Sequence, residues 1–574
     1  MNTQIIRRQP VGGMLSSSLH PVIDKIYRNR GVTQLEDVNT QAKCLLHFKS
    51  LSGIQKAVEL LIDAIAKQRR IVIVGDFDAD GATSTALCML ALKSFGAKSL
   101  SYLVPNRFDF GYGLSPQIVD VAHQDAADLI ITVDSGIACL EGVAHAKALG
   151  LDVIVTDHHL PPATLPDADA IVNPNLADCA FPSKNLAGVG VAFYLLSALR
   201  SAMADRGLLS KTQPPPSMAQ WLDIVAVGTV ADVVKLDSNN RILVHQGLQR
   251  IRAGKCRPGI KAILDIANRQ PDNLTASDLG FVVGPRLNAA GRLDDMSTGI
   301  ECLLADDIYL ARQMAADLDS LNQQRKQIEK TMKQEAEQLA EALIAEQSGE
   351  VPSALVFHHS AFHQGIIGIV AGRMKDRFNR PVIAFADAGD GKIKGSARSV
   401  EGIHIRDALE DLNRESPELI DKFGGHAMAA GLTINLSNLE RFNQRFMQVI
   451  ARLGVDLDSD KRVYTDGPLP LDCLTLDFVR LLYASGPYGQ GFPAPAFDDQ
   501  FTLISQRIVG ENHLKMTLEH TNGQHLEAIA FNIDLDVWPN NQVSQIKGVY
   551  KPEINVFRGK QSLQLVFDYM EACV

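Results

Sequence analysis

The chain alternates between short, uniformly apolar runs and longer stretches whose apolar residues recur every three or four positions. Ile71–Val74 and Leu129–Val133 are of the first kind, as is the centre of Asp152–Thr156. Runs this short, rich in β-branched residues and without polar alternation, predict strands buried on both faces. Within Leu51–Lys67, the residues Ile54, Val58, Leu61, Ile62 and Ile65 keep helical spacing. Thr83–Phe95, Pro116–His123 and Cys139–Leu149 read as helices too, and Tyr102–Pro105 as a further short strand. Strands alternating with helices predict a mostly parallel sheet covered on both faces.

Elsewhere the pattern changes. Residues 1–45 predict two helices, one through Pro21–Tyr27. From Asp306 to Glu346, a polar stretch carries one narrow apolar stripe: Leu310, Met314, Leu318, Leu321, Ile328, Met332, Leu339 and Leu343. This predicts a single helix of roughly 60 Å at 1.5 Å per residue, and so thin a stripe suits a connector between domains. A second α/β region follows over Val351–Gly454. In the last hundred residues the period shortens, and Phe501–Val509, His513–His520, His525–Ile533, Val543–Phe557 and Ser562–Asp568 predict strands. Arg558-Gly559-Lys560 reads as a hairpin turn. Five strands after the Gly/Pro-rich stretch 486–495 predict a small β-barrel of the OB-fold type. The predicted division is a helical segment 1–45, an α/β domain 46–305, a connecting helix 306–348, a second α/β domain 349–455 and a barrel 456–574.

Composition narrows the class. A chain of 574 residues is too long for one core. Its net charge of −10 argues against a protein that simply coats nucleic acid, though not against an enzyme with a local basic track. Eight cysteines, none in a CxxC pair, suggest neither a zinc ribbon nor a disulfide scaffold. Without an 18-residue apolar run or a charged-then-apolar leader, a cytoplasmic protein with no membrane association is the expectation.

The candidate chemistry begins at Gly75–Thr85, which follows the first apolar strand. Asp76, Asp78 and Asp80 alternate there, so an extended chain turns all three to one side. Three crowded carboxylates repel unless a cation joins them. An EF-hand is excluded, because its twelfth position, which must be acidic, is Leu87. Asp134 follows the second strand, Asp157-His158-His159 follow the third, and Asp232 ends the apolar run that starts at Trp221. One aspartate after a strand is usually a helix cap. Several metal-ligand types after successive parallel strands share one sheet edge, where ligands bind. Leu279–Leu293 reads as a tight loop carrying Arg286, Asn288 and Arg292, side chains suited to an anion. Gly395–Ser399 and Phe423–His426 read as further anion loops. His358, His359 and His363 lack an accompanying acid or thiol at ligand spacing and read as locally structural. In the barrel, Tyr550, Phe557 and Phe531 interleave with Lys547, Lys551, Arg558 and Lys560, either as stacking faces beside a basic track or as core.

In order and spacing, Gly75–Thr85, Val133–Gly136, Asp157–His159 and Gly228–Asp232 resemble the four motifs of the DHH phosphoesterase superfamily. Gly284–Arg292, Gly395–Arg398 and Gly424–His426 resemble its associated DHHA1 domain. The resemblance runs from about residue 45 to the C-terminus, with mild departures at Phe77, Lys235 and Ala397. It implies two divalent ions, Mn2+ or Mg2+, held by Asp78, Asp80, Asp134, His158 and Asp232, with Asp134 bridging and Asp76 as a supplementary ligand. It implies catalytic roles for His159, Asp134 and Asp157, with His159 on the scissile phosphate. Arg107, Arg286, Asn288, Ser396, Arg398 and His426 would bind substrate. The implied activity is 5′-to-3′ exonucleolysis of single-stranded DNA to 5′-mononucleotides in recombination and repair. The implied setting is a monomer working with single-strand-binding protein and a helicase. Two other readings use the same residues: a hydrolase of small phosphate esters, for which barrel and connecting helix have little use, and a non-catalytic scaffold, in which ligands would be missing.

Overall fold

The uniformly apolar runs become strands with no exposed face. In chain order, β1 is Thr3–Arg7, β2 Ile71–Val74, β3 Leu100–Leu103, β4 Leu129–Val133, β5 Asp152–Thr156 and β6 Ala170–Val172. The helices between them are α1 (Pro21–Arg28), α2 (Ile54–Ala66), α3 (Ala79–Ser94), α4 (Pro116–Gln124) and α5 (Leu140–Ala148). These come from a computed structural model, which describes residues 3–106, 113–210, 214–346, 349–457 and 461–573.

Strands β2 to β6 form one sheet in the order β3-β2-β4-β5-β6, with every neighbouring pair parallel. Val72, Val74, Ile130, Val153 and Val155 share a core with Ile118 and Val119 of α4 and Val143 and Ala146 of α5. Burial on both faces is what the unbroken apolar runs require. The strand order reverses at β2: the chain leaves it for β3 on one side, then returns to β4 on the other. The crevice between the ends of β2 and β4 is therefore the sheet's topological switch point. After β6 come α6 (Gly188–Asp205), α7 (Leu222–Ala231) and α8 (Ser238–Arg252).

Two compact units form, one of 3–291, 295–318 and 462–574, the other of 292–294 and 319–461. The long helix is Ile308–Glu346, 39 residues or about 58 Å. Its buried positions coincide only in part with the apolar stripe read in the sequence: Leu318 and Met332 belong to it, and Ile328, Leu339 and Leu343 pack against the core of the second unit. Ala311, Ala315 and Leu318 are buried in the first unit and Met332, Ala336 and Ala340 in the second, while Leu310 is exposed. Small alanines allow closer packing than the leucines beside them.

In the second unit, β7 (Leu355–His358), β8 (Val382–Gly389), β9 (Lys392–Arg398), β10 (Lys422–Gly425) and β11 (Ala429–Asn435) make a sheet of order β10-β11-β9-β8-β7. The predicted anion loops at Gly395–Ser399 and Phe423–His426 are thus mostly strand. Gly395 is required by packing, since a Cβ there would lie 2.5 Å from the Phe385 ring.

Among the described residues up to 45 there is one α-helix, α1, and two short 3-10 helices (Leu35–Val38 and Ala42–Cys44) in place of a second. The first element of this segment is β1, which pairs with β12 (Lys461–Thr465) from the far end of the sequence. No local pattern announces so distant a partner. Arg30, with a side chain 0% exposed, pairs with Asp466 at 3.0 Å. Asn29 Nδ2 and Ala496 N also donate to Asp466. Asp466→Ala leaves that guanidinium buried without its counter-charge, so urea unfolding should show a loss of about 3–5 kcal/mol.

The C-terminal strands β13 (Phe497–Val509), β14 (His513–Glu519), β15 (His525–Ala530), β16 (Gln545–Phe557) and β17 (Lys560–Ala572) close into a barrel of order β13-β14-β15-β17-β16. The aromatic ambiguity resolves residue by residue. Tyr550 is core, packed on Phe501 and Phe567 with its hydroxyl donating to Asp499. Phe531 and Phe557 are exposed. Lys547 and Lys551 of the expected basic track are paired with Glu571 and Asp568.

Candidate metal centre

The acidic turn is not extended, as its alternation suggested. The chain enters α3 directly, and Asp78 is its N-cap, Oδ1 accepting from the N–H groups of Asp80 and Gly81 at 3.0 Å each. Asp80 therefore lies in the first helical turn. A capping carboxylate satisfies donors that the helix cannot, which an extended strand does not need. Asp76, buried at the end of β2, accepts from the N–H of Phe77. Asn288 Oδ1 accepts from the N–H of Ala79 at 2.8 Å and so braces the turn.

Asp80 is 1% exposed. Its two oxygens accept from Gly188 N at 2.5 Å and Val189 N at 3.0 Å, at the start of α6. The helix dipole favours negative charge there. Gly228 of α7 makes this approach possible: a Cβ would lie 2.2 Å from Thr83 Oγ1 and 2.9 Å from Asp80 Oδ1. The glycine that opens the fourth motif is thus a packing requirement.

Asp134 ends β4 in the left-handed region, at φ 58°. A non-glycine residue held there is strained, and such strain concentrates at functional sites. Its Oδ1 lies 3.1 Å from His158 Nε2, which is also 3.5 Å from Asp232 Oδ2 at the end of α7. Asp157, 1% exposed after β5, accepts from Ile137 N through Oδ2. Its Oδ1 accepts from His158 N, His159 N and His159 Nδ1.

Electrostatics separates these acids. Burial, then Asp78, pushes the Asp80 carboxyl up to about 7, against the two α6 amides. Burial, then the neighbouring aspartates beginning with Asp80, raises Asp134 and Asp232 well above the ordinary range. Asp157 moves the other way: burial opposes ionisation, but the His159 hydrogen bond and charge outweigh it. His159 responds reciprocally, raised by Asp157 despite burial.

Three donor groups thus form, each with its ligand atoms within 4.8 Å of one another: Asp134, His158 and His159; Asp80, His158 and Asp232; and Asp76, Asp78 and Asp134. Carboxylates crowded until they resist ionisation, with imidazole among them, are a donor set for Mn2+ or Mg2+. Asp232 Oδ2 is buried and accepts no hydrogen bond from the described residues. The residues fit divalent cations.

The other expected site residues have partners within their own elements or units. Leu279–Leu293 is helical, a π-turn (Leu279–Val283) running into an α-helix (Gly284–Leu293). Its glycines serve close packing: a Cβ on Gly291 would lie 1.8 Å from Phe77 O. Arg286 Nη1 donates to Val282 O, and Arg292 Nη1 to Gly365 O. In the second unit, Arg398 Nη1 donates to Ser396 Oγ, beside Gly368 in the first turn of helix Ile367–Phe378. The N–H of His426 donates to Ala429 O. Arg107 lies outside the described residues. His358 Nε2 is 2.8 Å from Asp387, a local pairing.

Two residues escaped the sequence reading. Asn173 Nδ2 donates to His159 O, and Asn175 Nδ2 to His158 O, which holds the two histidines from the next strand end. The available signal was their place just after β6, on the same sheet edge as the acids.

Acids and histidines at the switch point of a parallel sheet define the chain as a DHH-class phosphoesterase. Residues 70–229 match the DHH family N-terminal domain, 351–452 the DHHA1 domain and 465–569 the RecJ OB domain. The single-stranded-DNA-specific exonuclease RecJ of Salmonella typhimurium is 54% identical over 557 residues, covering 96% of each chain. The chain belongs to the RecJ family. Among solved structures, RecJ of Thermus thermophilus in complex with Mn2+ superposes with a TM-score of 0.80 at 28% identity, covering 100% of this chain and 80% of that one. The same protein with Mg2+ gives 0.75 at 26%, covering 100% and 79%.

Proposed function

We propose that the chain is a metal-dependent exonuclease that degrades single-stranded DNA from its 5′ end and releases 5′-mononucleotides in recombination and repair. The observation that carries this is the convergence of the three donor groups at the sheet's switch point in a RecJ-family chain.

In this reading Asp78, Asp80, Asp134, His158 and Asp232, with Asp76 supplementary, would hold two divalent ions. Once bound, such ions activate a water and stabilise the attacking and leaving oxygens of an in-line displacement at phosphorus. His159 keeps a proton on Nδ1 towards Asp157 and presents Nε2 to a phosphate oxygen; the raised proton affinity of His159 beside the Asp157 carboxylate supports that role. Asp157 orients His159 through the 2.7 Å hydrogen bond. Arg107, Arg286, Ser396, Arg398 and His426 bind phosphates and set the polarity, while Asn288 serves substrate by bracing the acidic turn.

No helix among the described residues is long and apolar enough to cross a membrane. A cytoplasmic location and a monomeric state belong to the same proposal, as does association with single-strand-binding protein and a helicase, which rests on family resemblance.

End-labelled single strands carrying a 5′- or a 3′-phosphate, digested with Mn2+ or Mg2+, test the activity. Mononucleotides should be released progressively from the 5′ end and release should stop with chelator. Release from the 3′ end, or cleavage unaffected by chelator, contradicts the proposal.

A further inference from the structure

Phe281 is 82% exposed, the most exposed large apolar side chain among the described residues. Exposing a phenyl ring to water forgoes most of what its burial would contribute to folding. Single exposed apolar residues are common, so position has to decide whether this one matters.

Three observations place it. First, Phe281 is the central residue of the π-turn, where Gly284 N–H donates to Leu279 O, five residues back. Such turns interrupt helices most often at functional sites.

Second, Arg286 Nη1 reaches back to Val282 O at 2.8 Å. This anchors the guanidinium at the backbone carbonyl next in sequence to Phe281. Third, the π-turn packs on the last turn of α7: a Cβ on Gly280 would lie 3.2 Å from Val230 Cγ1, and one on Gly284 3.1 Å from Ala231 Cβ. That turn ends in Asp232. Val233, the next residue, is also exposed and held at φ 62°. A flat apolar surface and a guanidinium therefore flank the element that delivers Asp232 to the carboxylate cluster.

A nucleotide offers the complementary pair, a flat base and a charged phosphate. We infer that Phe281 is a stacking platform for a nucleobase of the DNA strand near the cleaved bond, with Arg286 serving the adjoining phosphate. This rests on the proposed nuclease function and adds a specificity-determining residue to it. Stacking is tolerant of sequence, because every base has a π-face, so the platform favours DNA without selecting a base.

The test compares F281A, F281L and F281W in the full-length protein on 5′-phosphorylated oligothymidylate with Mn2+. A second strand carries abasic sites at its first three 5′ positions. F281A should raise KM about tenfold with little change in kcat, F281L should resemble F281A, and F281W should restore the wild-type value. On the abasic strand, wild type and F281A should coincide. A KM for F281A within twofold of wild type, or an equal loss on both strands, overturns the platform. The two failures are distinguishable: wild type degrading the strand while F281A matches it removes only the platform, whereas wild type degrading no strand removes the nuclease reading beneath it.

Discussion

Asp134→Ala should abolish hydrolysis, by at least about a thousandfold, while raising the melting temperature of the metal-free protein. Asp134 belongs to two of the three donor groups. Without it the site would lose a carboxylate that two of the donor groups have in common. The stability gain has a separate cause. Asp134 is buried among Asp80, Asp78, Asp232 and Asp76, whose charges oppose its ionisation. Removing one of several like charges relieves the rest.

The same electrostatics fixes a pH dependence. Asp80, Asp134 and Asp232 bind protons more tightly in the folded chain than in the unfolded one, so in chelator wild-type stability falls as pH rises from about 4 towards neutrality. His159, also raised, adds to the decline as pH passes its folded value. Asp157, lowered, loses its contribution only as pH falls into the acid range. Calorimetry in EDTA should show a declining melting temperature for wild type, a shallower decline for D134A, and recovery with Mn2+ in wild type alone. Near-normal Mn2+-dependent cleavage by D134A would remove Asp134 from the centre. DNA binding by the variant should be largely retained.

Gly291→Ala is the second large effect. A Cβ there would sit 1.8 Å from the Phe77 carbonyl oxygen and 2.9 Å from its carbon. Both are backbone atoms, so no rotamer change relieves the clash. Either the helix Gly284–Leu293 or the acidic turn must move, and Asn288 on the same helix holds that turn at Ala79. Urea unfolding should show a loss of about 3 kcal/mol or more, and kcat/KM should fall by at least about a hundredfold. Gly372→Ala, where a Cβ meets nothing within 4 Å, is the control and should be neutral or slightly stabilising. A stable, active G291A would mean that the helix can withdraw without disturbing the acids.

These two residues mark what could be read from the sequence. Asp134 is legible because it directly follows a strand that is apolar but for Thr132, and parallel strands bring such ends to one edge. Gly291 misleads. With its neighbours Gly284 and Pro285 it signals a turn by local propensity, yet the segment is helical and the glycines answer to Ala231 and Phe77. Local preference loses to close packing whose partners lie far off in sequence. Ser396 and Arg398 likewise read as loop residues, and their strand exists because β11 and β8 pair on either side.

The sequence by itself determined the parallel sheet, the long helix, the barrel and the set of acids and histidines, because periodicity and chain order encode burial and strand direction directly. Only the tertiary structure decided how those acids are held. Asp78 caps α3, Asp80 meets the start of α6, Asn288 braces the turn, and Asn173 and Asn175 steady the two histidines. Each of these contacts, apart from the local cap, joins residues distant in the chain. Their geometry is set by how closely helices pack, which no local pattern records.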